Sequence, residues 1–148
     1  MVDIVERNEV VQFKDGDFVL DVNVSPQEET VWLSANQMAK LFDKDEKTIR
    51  KHINNIFKDD ELSIENNTQK MRVVGVKQLV AFYSLDVIIS VGYRVKSKNG
   101  ILFRKWANNI LREYLLKGYV VNDRHFQDIE YVTKMLDQYK EAGGKLPT

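Results

Sequence analysis

Leu33-Ser34-Ala35-Asn36-Gln37-Met38-Ala39-Lys40-Leu41-Phe42-Asp43-Lys44-Asp45-Glu46-Lys47-Thr48-Ile49-Arg50-Lys51-His52-Ile53 is the stretch on which the fold turns. It reads as a helix over residues 34–42 capped by Ser34, a three-residue turn, and a helix over residues 46–57 capped by Asp45. Helices that cross closely need a small residue inside the first, and Ala39 fits, with Met38, Phe42, Ile49 and Ile53 as apolar groups around it. The pattern is a helix-turn-helix and predicts Ala39 buried at the crossing. Asp43 takes the place in the turn usual for Gly, and Lys44 follows where an apolar residue is common. Asp tolerates left-handed backbone angles better than most residues, so the pattern survives.

The second helix then exposes Lys47, Thr48, Arg50, Lys51 and Asn54 on one side. Arg and Asn have the forked groups that read guanine and adenine edges in the major groove. Lys and Thr are phosphate ligands, and Glu46 is placed to serve the cap or to accept from cytosine. The plain alternative is an αα-hairpin with a solvated charged face. His52 falls on the inner edge of this helix and reads as packed.

Outward toward the N-terminus, residues 10–14 and 18–24 alternate around Asp15-Gly16 and predict a tight β-hairpin. A loop over residues 25–29 and a short strand over residues 30–33 lead into the first helix. Outward toward the C-terminus, residues 59–67 form an acidic connector. Residues 68–74 and 77–83, with Gly75 between them, predict a second hairpin. It can act as a wing beside the recognition helix, with Lys70 and Arg72 near phosphates. Ser84 is placed to cap a helix over residues 85–93. Residues 96–100 read as a basic turn, and residues 101–117 as a helix with Phe103, Trp106, Ala107, Ile110, Leu111 and Tyr114 at helical spacing. Trp106 and Tyr114 belong to that stripe and read as core. Gly118 is placed to end the helix, and a last one is expected over residues 123–140.

The whole therefore reads as α+β: a winged helix-turn-helix-like N-terminal part with two β-hairpins, then a helical block and a C-terminal helix. Residues 1–120 form the DNA-binding domain on this reading, and residues 121–148 a helix and tail. In the latter, Phe126, Ile129, Val132, Leu136 and Tyr139 recur at steps of three and four, an apolar stripe suited to a homodimer.

A net charge of zero conceals a sharp asymmetry. Residues 1–30 hold eight acids and two bases, whereas residues 31–118 hold sixteen bases and nine acids. Within residues 94–117 Arg94, Lys96, Lys98, Arg104, Lys105, Arg112 and Lys117 face a single acid, Glu113. Arg94, Lys96, Lys98, Arg104 and Lys105 are candidate phosphate ligands, the alternative being a basic outer face on a core helix.

Cysteine is absent, which removes disulfides, thiolate chemistry and zinc sites built on Cys. The two histidines, His52 and His125, lack a metal-ligand spacing, and no Gly-rich loop precedes a Lys-Ser or Lys-Thr pair. No cofactor, metal or catalytic residue is therefore expected. No apolar run is long enough to span a bilayer and no signal-peptide pattern opens the chain, so the expected compartment is the cytoplasm.

Several runs also resemble the RhuM family: Thr30-Val31-Trp32-Leu33, Lys51-His52-Ile53-Asn54-Asn55-Ile56-Phe57, and Tyr83-Ser84-Leu85-Asp86-Val87-Ile88-Ile89-Ser90-Val91-Gly92-Tyr93-Arg94-Val95-Lys96-Ser97-Lys98. The continuations Phe103-Arg104-Lys105-Trp106-Ala107 and Tyr114-Leu115-Leu116-Lys117-Gly118 fit as well. More loosely, residues 85–118 are similar to Bro-N domains of phage antirepressor-like proteins. That similarity implies DNA binding and a phage or mobile-element setting, and it brings no catalytic residue with it. Three functions compete on these grounds. The first is a DNA-binding regulator or antirepressor that takes double-stranded DNA, as a homodimer because one short helix reads few bases. The second is a protein-interaction module without DNA binding. The third is a Mg²⁺-dependent nuclease using Asp59-Asp60-Glu61.

Overall fold

The computed structural model describes residues 9–117. Strand β1 (Glu9–Asp15) and strand β2 (Phe18–Ser25) form the N-terminal hairpin, in which Val11 pairs with Val22 and Phe13 with Leu20. Asp15 pairs with Phe18, so the two loop residues are Gly16 and Asp17 rather than Asp15-Gly16. Gly16 alone takes a positive φ, +61°. A glycine in the first loop position is the choice of a hairpin turn that needs one positive φ rather than two.

A turn of 3-10 helix (Pro26–Glu28) leads into β3 (Thr30–Ser34), which flows directly into α1 (Ala35–Phe42). Ser34 caps α1 in a full capping box. Its hydroxyl accepts from Gln37 N at 3.2 Å, and the Gln37 side chain accepts from Ser34 N at 2.9 Å. Gln37 Nε2 also donates to the Asp21 carbonyl at 2.7 Å and so pins the helix start to β2. Helix α2 (Glu46–Lys58) follows after a short turn.

The connector after α2 is not wholly irregular. Ser63 caps a one-turn helix, α3 (Ile64–Asn67), that runs straight into β4 (Thr68–Met71). Strand β5 (Val80–Tyr83) pairs antiparallel with β4, with Met71 opposite Val80. The wing strands are thus shorter than the β-branched runs suggested, and residues 72–79, Arg72 included, form a loop. Helices α4 (Leu85–Arg94) and α5 (Lys98–Lys117) complete the described chain. Because α5 begins at Lys98, the basic turn contracts to Lys96 and Ser97. The end of that helix at Gly118, the last helix and its apolar stripe lie outside the described residues.

All five strands form one sheet in the order β1-β2-β3-β5-β4. The two hairpins do not merely bracket the helix pair: Leu33 pairs with Tyr83 and joins them. Alternation along the strands sends Val11, Phe13, Leu20, Val22, Val31 and Leu33 to the face covered by α1, α2, α4 and α5. Phe13 stacks edge-on to Phe103 and Trp106, which ties α5 to β1 and packs half-buried Trp106 against the core. A smaller cluster of Trp32, Met71 and Phe82, flanked by Val73 and Val80, seals the root of the wing.

Helices α1, α2 and α4 end in the same way, without a glycine. Asp43, Asp60 and Lys96 sit in the left-handed region at φ +53°, +56° and +55°. In each, the next residue donates back five positions: Lys44 N to Ala39 O, Glu61 N to Ile56 O and Ser97 N to Gly92 O. This is the Schellman closure.

Helices α4 and α5 meet at Gly92 and Gly100 beneath the Phe42 ring. A Cβ on Gly92 would stand 3.1 Å from that ring and 3.5 Å from the Gly100 Cα. Gly92→Val is expected to destabilise the chain by about 1–3 kcal/mol through overpacking, with an unchanged urea m-value. The few tenths of a kcal/mol regained from replacing a helical glycine do not offset this.

Candidate nucleic-acid interface

The 3.6-residue period divides α2 into two faces. Ile49, Ile53 and Ile56 are buried against the core. Lys47, Thr48, Arg50, Lys51 and Asn54 are exposed and line one shallow depression together with half-buried Asn55. Asn55 lies one turn beyond Lys51, a spacing that already marked it for this face. Met38 and Phe42 are buried at the helix pair as expected, but Ala39 is half-buried. Its carbonyl accepts from Lys44, whose exposed side chain lays no apolar cover over it. An apolar residue at position 44 would close that gap, as is usual in a Schellman closure.

Asp45 precedes α2 without a side-chain cap. Glu46 does something else: its carboxylate accepts from Arg50 Nε and Nη2 at 2.9 and 2.6 Å and from Asn36 Nδ2 at 3.1 Å. The hydrogen bonds from Arg50 and then from Asn36 hold its pKa below the usual carboxylate range. Arg50 therefore rests against its own helix. The pair is exposed, so it stabilises the helix by only about 0.3–0.5 kcal/mol, less than the ~1–3 kcal/mol of a bidentate guanine contact. His52, half-buried, is held below its ordinary pKa by desolvation first and then by the charges of Arg94 and Lys51.

Beyond α2 the basic residues separate into two groups. Lys70 is exposed on β4, and Arg72 and Lys77 are exposed in the loop of the wing. The root of the wing meets α2 where the Phe57 and Tyr83 rings lie 6.2 Å apart, and burial raises the Tyr83 pKa. The second group surrounds the α4–α5 corner. Lys96, Lys98 and Arg104 line a cavity of about 360 Å³ with Ile89, Tyr93 and Ile101, and no carboxylate enters it. Lys105 is exposed on α5 without joining that cavity. Arg94, by contrast, is tied to Glu61 at 3.2 Å, which links the end of α2 to α4 and takes one acid out of the 59–61 run. Among the described residues no three His, Cys, Asp or Glu side chains gather as metal ligands.

One contact that no local pattern foretells holds the two parts together. Asn99 Nδ2 donates to the Leu41 carbonyl at 2.8 Å, satisfying a C-terminal carbonyl of α1 from the first turn of α5. The corner cavity therefore sits against the end of α1, whose Phe42 ring lies over its Gly92 and Gly100.

No curated protein and no solved structure matches this chain. No helix among the described residues is long and apolar enough to cross a membrane. The model of the virulence protein RhuM family matches residues 60–142, a span that begins just after α2 and takes in the wing, α4 and α5. The match extends over more than half of the sequence, and the chain belongs to the RhuM family.

Proposed function

We propose that this protein binds double-stranded DNA through α2, with the wing and the α4–α5 corner on phosphates, and acts as a non-catalytic regulator or antirepressor of phage or mobile-element origin in the cytoplasm. The observation that carries this reading is the exposed side of α2. Five polar or basic side chains, Lys47, Thr48, Arg50, Lys51 and Asn54, share one uncovered face over two turns, while three isoleucines fix the opposite face in the core. A helix presented in this way fits the major groove, which is about 12 Å wide. Arg50 and Asn54 are the base readers on this view. Lys47, Thr48, Lys51, Lys70, Arg72, Lys96, Lys98, Arg104 and Lys105 position the duplex, and Arg94 acts through Glu61. A homodimer would supply the second half-site that one short helix lacks.

Fluorescence anisotropy with a random duplex at three salt concentrations tests the reading. Binding should weaken with salt. Lys47→Ala/Lys51→Ala should flatten the slope of log K against log salt by about 0.9 for each phosphate that is no longer neutralised. Salt-independent or absent binding overturns it. One observation favours a protein partner at the corner instead: Ile89, Tyr93 and Ile101 give its cavity an apolar lining that phosphate alone does not fill.

A further inference from the structure

We propose that the tip of the wing is a minor-groove wedge: Val74, set between Arg72 and Lys77, enters the minor groove of the duplex held by α2 and partly unstacks a base step. This rests on the DNA-binding reading.

The apex of the wing is an ordered β-turn over residues 73–76. Val76 N donates to Val73 O at 3.1 Å, and Gly75 holds φ at +83°, the value a type II turn requires in its third position. The second position falls to Val74, which is fully exposed at 101%. Turn positions usually go to Gly, Pro, Asn, Asp or Ser, and a branched apolar side chain in open water contributes nothing to the fold. Next to it Val73 packs on the Trp32, Met71 and Phe82 cluster, so the tip is carried on a rooted loop.

Charge indicates what the tip meets. Lys70, Arg72 and Lys77 are exposed, and no carboxylate occurs from Asn66 to Leu85. The occupant is therefore acidic. It is also narrow, because one turn with Val74 fully and Val76 partly exposed, and Leu79 half-exposed after it, still falls far short of the roughly 800 Å² per partner of a stable protein interface. The minor groove of DNA is about 6 Å wide, draws Arg and Lys where it narrows, and accepts apolar wedges between base steps.

Reach is consistent with this. Phe57 and Tyr83 join the root of the wing to α2. Adjacent major and minor grooves lie about 17 Å apart, half of the ~34 Å helical turn. Strands of four residues extend about 13 Å, and the loop over residues 72–79 adds the remainder.

The full chain would be titrated into a short random duplex bearing a donor–acceptor dye pair at its ends, and into the same duplex preloaded with an A·T minor-groove dye. The wild type should bend the duplex and displace the dye. Val74→Ala should weaken binding roughly tenfold, the worth of one buried branched side chain, and abolish the bend. Val74→Leu should preserve both. Since Val74 touches no core residue, thermal midpoints should be the same for all three proteins. Duplex binding with the same bend and dye displacement in Val74→Ala overturns the wedge and leaves the DNA reading standing. No duplex binding by the wild type overturns both.

Discussion

Ile53→Ala is expected to lower the unfolding free energy by about 2–5 kcal/mol, the range for truncating a fully packed isoleucine. Ile53 is 2% exposed and stands between Ile49 and Ile56, both at 0%, in the stripe that fastens α2 to the core. Three missing carbons leave a cavity, since Ile49 and Ile56 hold α2 to the core on either side of it. Urea denaturation should show a lower midpoint with the same m-value. A loss under about 1 kcal/mol would mean that α2 is loosely attached, which is incompatible with a helix that positions base contacts.

Arg50→Ala/Asn54→Ala should do the opposite, sparing stability and removing recognition. Each residue is exposed, and the interaction removed from the folded state is the weak Glu46–Arg50 pair, so stability should change by less than about 0.5 kcal/mol. On a site selected from a random duplex pool, removing a bidentate base pairing costs about 1–3 kcal/mol. Contributions from different base pairs add, which makes the double variant weaker by roughly 30-fold to 10⁴-fold. On random duplex its affinity should fall by little more than the worth of one phosphate interaction. Equal reductions on the selected and random duplexes would assign both residues to the phosphate backbone and leave base reading to other side chains. Asn55, which lies in the same depression, is then the next candidate reader.

Ser34, Ser84 and the alternation around Gly16 announced their elements because caps and tight turns are chosen by the backbone of three or four neighbouring residues. The two faces of α2 were equally legible, since side-chain direction in a helix follows from its period alone. Helix ends were harder to read. Asp43, Asp60 and Lys96 occupy the left-handed position where glycine would have signalled the stop. Only Asp43 was recognisable, by its place between two helical patterns. The stretch Lys96-Ser97-Lys98-Asn99-Gly100 concealed the start of α5 because Lys and Asn suit a loop and a first helical turn alike.

The sequence by itself thus determined the helix pair, the two hairpins and the two later helices, which face of α2 turns inward, and that basic groups collect on α2, on the wing and after α4. It did not determine α3, the short wing strands or the start of α5. Only the tertiary structure decided how those pieces combine. It merged two hairpins into one sheet through Leu33 and Tyr83 and fastened α5 to α1 through Asn99 and Leu41. It also turned Arg94 toward Glu61. The physical reason is separation along the chain. A cap or an amphipathic stripe is specified within a few residues, where the covalent backbone already supplies proximity. The partners in these later contacts are 33 to 58 residues apart and meet only after burial of the shared core has offset the entropy of closing the chain between them.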